Sequence, residues 1–325
     1  MRRRDLLGLG LVAGTLAACG GTETGDPQPE GPHAAIVPGQ ADRILQAVDA
    51  ALARAYQARN PRLLGARVVG PASRILAARL TVAAKEKRAL PPPGRFALKR
   101  LVLPAVGDWP RWILAAGTLP GEPTPVLRVL RSLTAREPYG LWGDLTLLPG
   151  ASLPTLASPL AGTPLLAPAT TAGLTQAPSA IVTGYAAALM SSTPSAAGNQ
   201  FAPDQFRQQV AGQLATDRRT LAAGGVARVD ASHRPSADGL VSLRTQDGGA
   251  LVVAALEQLY TVTVRGGAGQ VTLDADLAAL AGVARIGRGL QRTSLETLAF
   301  RVPPAGGGPV SLLAAAKGDV SAVGS

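Results

Sequence analysis

Three consecutive prolines, Pro91-Pro92-Pro93, divide the first half of the chain into two regimes of hydrophobic spacing. Before them Ile44, Leu45, Val48, Leu52, Ala55 and Tyr56 recur at helical spacing, and Ile75, Leu76, Leu80 and Ala83 do so again. Proline has no N–H to give a helix and biases the residue before it away from helical angles, so the second pattern stops at the triplet. Beyond it the period falls to two. Residues 96–103, 112–117, 126–135 and 139–148 read as strands, with Gly107, Pro120-Gly121 and Pro138 in the gaps. A short strand at 63–69 precedes Gly70-Pro71, a cap and first position for the second helix. Helices followed by a meander predict an α+β unit with its helices on one face of a curved antiparallel sheet.

The second half repeats the order. Ile181, Val182, Tyr185 and Leu189 mark one helix, and Phe206, Val210 and Leu214 mark another that starts at Pro203-Asp204. Strands follow at 226–232, 240–245 and 250–265, then at 296–303 and 310–319. Asp247-Gly248-Gly249 is a strong hairpin turn, and residues 266–293 form an insertion with a short helix around 277–283. Residue identity barely repeats between the halves, so the repeat is one of pattern. The fold expected is α+β, with two tandem cone-like domains at residues 41–150 and 178–325.

No charged residue occurs from Leu145 to Pro203. Residues 151–177 form a connector rich in Pro, Thr and Leu. Its Leu153, Leu156, Leu160, Leu165 and Leu166 favour an arm docked on the body, since a solvated linker has no use for them. Apolar residues make up 46% of the chain but aromatics only 3%, so the cores must be built largely from Ala, Leu and Val.

The N-terminus carries an address. Arg2, Arg3 and Arg4 precede an uncharged run from Leu6 to Ala18, too short to span a bilayer roughly 30 Å thick. Leu16-Ala17-Ala18-Cys19 resembles the bacterial lipoprotein box, which implies cleavage and a lipid-modified Cys19, the one cysteine of the chain. With that thiol taken, no intrachain disulfide can form. Arg3-Arg4-Asp5-Leu6-Leu7 resembles a twin-arginine export signal. Residues 1–19 are therefore read as a signal peptide and 20–40 as a Gly- and Pro-rich tether in which His33 is solvated. These features place the protein on the outer face of the cell membrane.

Helix, short strand, helix, proline break and four-strand meander is similar to the cone-shaped nuclear transport factor 2-like fold. Val69-Gly70-Pro71-Ala72, Trp109-Pro110-Arg111 and residues 135–142, with a weaker stretch at 201–206, resemble an uncharacterised group of actinobacterial lipoproteins with two such cones. The resemblance implies a fold and an address, and no activity.

Some cone-fold relatives do acid–base chemistry in their pocket, and Tyr139, Trp142 and Asp144 are the nearest set here. Strand alternation puts Trp142 and Asp144 on one face and Tyr139 on the other, against a shared site. His233-Arg234 before Pro235 reads as a surface turn, and Asp274 and Asp276 as the start of a helix. Glycine clusters at 266–267 and 306–308 lack the lysine and hydroxyl of a phosphate loop. With two histidines in all, and without G-x-S-x-G or H-E-x-x-H, neither a metal nor another cofactor is expected, nor enzyme activity.

Charge is uneven. Residues 41–150 hold 17 Lys and Arg against 7 Asp and Glu, while residues 176–325 hold 12 against 10. Arg74, Arg79, Lys85, Lys87 and Arg88 cluster about one helix as a candidate contact for anionic lipid or wall polymer. Nucleic acid is not expected, for want of interleaved aromatics. The function expected is a non-catalytic binding or assembly module of the envelope, whose partners include the membrane, through lipid on Cys19, and another envelope protein. A cone-fold enzyme or carrier for a small hydrophobic molecule is the first alternative. A transporter's solute-binding lipoprotein is the second, and it would need a parallel sheet.

Overall fold

Pro38 opens helix α1 (Pro38–Ala58), where its fixed φ suits the first turn and its missing N–H leaves no bond unmade. In the computed structural model the described residues are 33–107, 109–190, 199–223, 225–267 and 269–325. Arg3, Arg4, Cys19 and the tether up to residue 32 lie outside them. Residues 33–40, assigned above to the tether, belong to the body. The Ala34 N–H donates to the Leu160 carbonyl at 3.1 Å, and the Val106 N–H donates to the His33 carbonyl at 2.8 Å.

The stripe Leu45, Val48, Leu52, Ala55 and Tyr56 is the buried face of α1. Residues 61–67 differ from expectation: Pro61–Arg67 is a 3-10 helix, not a strand. Asn60 Oδ1 takes the Arg62 N–H at 3.0 Å and so caps a turn, and Gly65, at φ 52° and ψ −151°, breaks the segment before it can extend. Only Val68 beyond it pairs, parallel to Leu141. Helix α2 (Gly70–Lys85) begins at a glycine with φ 55°, where a Cβ would stand 2.7 Å from Trp142 Cδ1.

Strands β1 (Ala97–Val102), β2 (Arg111–Thr118), β3 (Val126–Ser132) and β4 (Gly140–Leu147) follow as a meander. After the connector come α3 (Pro178–Met190) and α4 (Gln205–Ala223), then β5 (Ala227–Arg244) and β6 (Ala250–Val264). The insertion holds β7 (Val271–Thr272), α5 (Ala275–Ala281) and β8 (Arg285–Ile286). Asp274 caps α5, accepting the Leu277 N–H at 2.8 Å. Strands β9 (Gly289–Val302) and β10 (Ser311–Gly324) complete the chain.

The architecture is α+β, with a curled eight-stranded antiparallel half-barrel ordered β1-β2-β3-β4-β10-β9-β6-β5. The two separate sheets expected from the sequence are thus halves of one sheet, joined where Leu147 and Thr146 of β4 pair with Ala314 and Ala315 of β10. The wholly antiparallel pairing of this sheet is not the parallel one a transporter's solute-binding lipoprotein would need. The segments 226–232 and 240–245 are a single strand, β5, bulged between Pro235 and Leu240. Proline is tolerated there because β5 is an edge strand and one side of its ladder is open.

Helices α1 and α2 cover the first four strands on one face, and α3 and α4 cover the second four. On the opposite face the halves share a core: Val102, Trp112, Leu127 and Trp142 meet Val241, Leu251, Val253 and Leu313. Trp112 stands edge-on to Trp142, ring centres 5.6 Å apart. The connector closes the curl by bonding to both edges. Thr163 exchanges backbone bonds with Leu103 (2.7 Å) and Ala105 (2.9 Å) beside β1, while the Leu166 N–H donates to Ser242 of β5 at 2.9 Å. Part of each edge is thus covered by the chain's own connector, which leaves less of it open to another chain.

Candidate functional site

Two ladder pairs join β4 to β10, extended by the Leu148 N–H donating to the Leu313 carbonyl at 2.8 Å, and α2 packs against both strands beside that short ladder. Ile75 of α2 sits on Gly318 of β10, where a Cβ would fall 2.4 Å from Ile75 Cγ2. Two cavities flank the helix. One, of about 250 Å³, is walled by Leu52, Tyr56, Leu76, Leu119 and Leu141, with Arg79, Asp144, Thr297, Ala316 and Lys317 completing it. The other, of about 300 Å³, shares Ile75, Arg79 and Lys317 and adds Arg88, Asp276 and Asp319. Small residues line the seam where the strands part, which is why space remains there: Gly143, Ala316 and Gly318 offer no side chain to fill it.

The polar groups around the first cavity are mostly committed. Asp144 accepts two bonds from Arg128, Nε to Oδ1 and Nη2 to Oδ2, each 2.8 Å, and Arg128 Nη1 reaches Asp49 of α1 at 2.6 Å. Arg128 is fully buried and lies 4.5 Å from the centre of the Phe96 ring. Burial alone would lower its pKa, but the two carboxylates more than offset that and hold it above its ordinary value. Burial also raises the Tyr56 phenol, against the opposing pull of Arg79, so Tyr56 stays a hydrogen-bond donor at neutral pH.

Lys317 links the cavity to a second buried polar group, a row across four strands. His233 of β5 faces Gln258 of β6, and Glu296 of β9 faces Lys317 of β10. His233 Nδ1 lies 3.0 Å from Glu296 Oε2, Gln258 Nε2 lies 3.3 Å from His233 Nε2, and Lys317 donates to Gln258 Oε1 at 2.7 Å. Lys317 also stands 3.3 Å from Glu296 Oε1, an ion pair without hydrogen-bond geometry. Because Lys317 fixes the Gln258 oxygen, the amide nitrogen must face His233, and the imidazole carries its proton on Nδ1. The surface turn expected at His233 is therefore corrected: the residue is buried within β5, whose bulge carries the strand on past Pro235.

The five basic residues about α2 are spread over several contacts. Arg74 pairs with Asp238 in the β5 bulge, Lys85 Nζ donates to the Ala279 carbonyl of α5 at 2.6 Å, and Arg88 lies 3.0 Å from Asp276. Arg79 sits 5.9 Å over the Tyr56 ring. Lys87, at φ 53°, is exposed beyond the end of the helix. Three of the five thus hold the first half against the second.

Tyr139, Trp142 and Asp144 do not converge. Trp142 is the extra residue of a bulge opposite Val129 and Leu130, so its indole enters the shared core while Asp144 turns to Arg128 on the α1 side. The sequence reading that put Trp142 and Asp144 on one face assumed unbroken alternation. The polar residues about the cavity and the buried row that sequence reading missed are Arg128, Gln258, Glu296 and Lys317. Their one signal was a charged or amide group inside an otherwise apolar strand.

Among the described residues no group of three or more His, Cys, Asp or Glu could hold a metal ion, and no helix is long and apolar enough to cross a membrane. No curated protein and no solved structure matches the chain. Residues 32–324 match the family model described as "Domain of unknown function (DUF8094)", and the chain belongs to that family.

Proposed function

We propose that the protein is an extracytoplasmic lipoprotein, exported through the signal that contains Arg3 and Arg4 and anchored at Cys19, whose body is a non-catalytic binding module at the cell envelope. The observation that carries this reading is the state of the cavity beside α2. Its carboxylate, Asp144, is neutralised by Arg128, its ammonium, Lys317, is paired with Glu296, and its phenol, Tyr56, is kept protonated. General acid–base catalysis needs a group poised to change its proton near neutral pH, whereas binding needs only shape and fixed polar groups.

Each half keeps the layout of helices on a four-stranded meander, and we read the body as two cone-like units, of the nuclear transport factor 2-like kind, that share an edge. The basic excess of residues 41–150 supports contact with anionic lipid or wall polymer, for which Arg79 and Lys87, exposed like the rest of the α2 group, are the two not engaged above with the second half. The pairing of Arg74 and Arg88 with carboxylates assigns those two to assembly of the body instead.

The test of the reading is the anchor. Two acyl chains give stable membrane attachment and a diacylglyceryl cysteine supplies both. Replacing Cys19 with Ala should move the protein from the membrane fraction to the medium or leave it uncleaved. A correctly processed Cys19→Ala protein that still fractionates with membranes would sink the proposal. The cavity favours a second reading, a carrier for a small hydrophobic molecule, because most of its wall is aliphatic.

A further inference from the structure

We infer that the 250 Å³ cavity beside α2 takes a single-chain amphipathic anion, a carboxylate on one short acyl chain, with its head between Arg79 and Lys317. The inference rests on the binding-module reading and names what such a module would hold. Leu52, Leu76, Leu119 and Leu141 make one wall aliphatic, suited to a methylene chain and to little else. At the rim stand two cations that also line the neighbouring cavity, so the head would sit where the two spaces meet.

The charge at that rim is not spent. Lys317 is paired with Glu296, but its side chain keeps 30% of its surface exposed while Glu296 lies wholly buried behind it. Arg79 is exposed and turned onto the Tyr56 ring, so its guanidinium can donate to a carboxylate without breaking a buried ion pair. Asp144 would repel an anion were it alone, but Arg128 takes both its oxygens. Tyr56, kept protonated by burial, adds a neutral donor.

Size and sign narrow the ligand further. The cavity is smaller than the roughly 300–1,000 Å³ of a drug-sized site, which admits one short chain and excludes a diacyl lipid. An ammonium head on the same chain would meet two like charges, and an alcohol would fit the wall but gain nothing at the rim.

The experiment is calorimetric titration of the full chain carrying Cys19→Ala, which keeps it free of lipid. Decanoate, decanol and decyltrimethylammonium serve as probes with equal chains and different heads. Decanoate should bind, decanol at least about tenfold more weakly, and the ammonium not measurably. Arg79→Gln should weaken decanoate by roughly tenfold and leave decanol unchanged, since the residue is exposed on α2 and its loss opens no core. Ala316→Leu fills the cavity floor and should weaken acid and alcohol together; if that chain fails to fold, Arg79→Gln decides alone. Equal affinity for the three probes, no decanoate binding, or indifference to Arg79→Gln would each overturn the inference. Fractionation of the Cys19→Ala protein is independent of the cavity. A chain that anchors through Cys19 but ignores decanoate refutes this inference alone, and one that binds decanoate without anchoring refutes the other.

Discussion

The two halves bury charge for different ends. In the first, Arg128 of β3 is enclosed by Asp144 of β4 and Asp49 of α1, so one guanidinium fastens a helix to the sheet. In the second, Glu296 is enclosed by His233 and Lys317, all on strands, so one carboxylate fastens strands to each other. The difference follows strand length. β1 to β4 run 6 to 8 residues, and α1 and α2 cover them. β5, β6, β9 and β10 run 14 to 18 residues and outreach the α3 layer. Their far ends build a separate core of Val229, Tyr260, Val262 and Leu290 against α4 and α5. The His233 row lies where one core gives way to the other. Apolar side chains specify register only loosely over such lengths, because a slip by two residues keeps every face, whereas a buried ionic row tolerates no slip.

The largest effect is expected from breaking the first device. Arg128→Met leaves Asp49 and Asp144 facing each other in a partly enclosed site and should cost about 3 kcal/mol of stability, toward the low end for a broken buried ion pair because both acids retain some exposure. Urea unfolding of the full chain measures it. Amide exchange should show lost protection in α1 before the second-half strands. Replacing all three residues by apolar ones should recover most of the loss, since no charge then remains unpaired. A loss of protection spread evenly through β5, β6 and β9 would mean that Arg128 does not act through the helix.

Glu296→Gln sharpens the other side of the comparison. Glutamine keeps the shape and can still accept from His233, but the charge facing Lys317 is gone, so a cost of about 1–2 kcal/mol is expected. The signature is a register effect: exchange protection should fall along β9 and β10 with α1 unaffected. If Glu296→Gln proves costlier than Arg128→Met, the ranking of the two devices is reversed.

Much of this body was legible in the chain and its joining was not. The proline triplet, the switch of period and Asp247-Gly248-Gly249 act locally, so α1, α2, β1 to β4 and the β5–β6 hairpin can be placed from nearby residues alone. The bond between halves rests on Thr146, Leu147, Ala314 and Ala315, ordinary strand residues more than 160 positions apart that carry no mark of their partners. The Pro61–Arg67 turn was mistaken for a strand because Asn60 acts as a cap through its side chain, which periodicity does not register. The cavity beside α2 left only a faint trace. Its rim residues Arg79 and Lys317 stand far apart in sequence, and Gly318 reads as a strand defect until Ile75 is seen against it.

The smallest effect expected separates the halves by pH. The β5–β6 turn is held by Asp247, whose carboxylate accepts from the Thr245 hydroxyl, from Arg301 at 2.8 Å and from the Gly249 N–H at 3.1 Å. These bonds, in that order of weight, lower its pKa from 3.8 to about 2. A folded-state value below the unfolded one stabilises the native form above the unfolded pKa, and that contribution fades as pH falls from roughly 4 toward 2. The β3–β4 turn has no such window, because it is held by the Ser132 hydroxyl, 2.9 Å from the Thr134 carbonyl and 2.8 Å from that of Glu137, which takes up no proton. Asp247 keeps 43% of its side chain exposed, so solvent screens the effect and it should be modest. Thermal melts of Asp247→Asn and the parent should differ near pH 5 and converge near pH 2, with exchange at the β5–β6 turn following the same course and the β3–β4 turn indifferent to it. Were there no gap at either pH value, Asp247 would hold its turn by shape alone, since asparagine can still accept from Gly249.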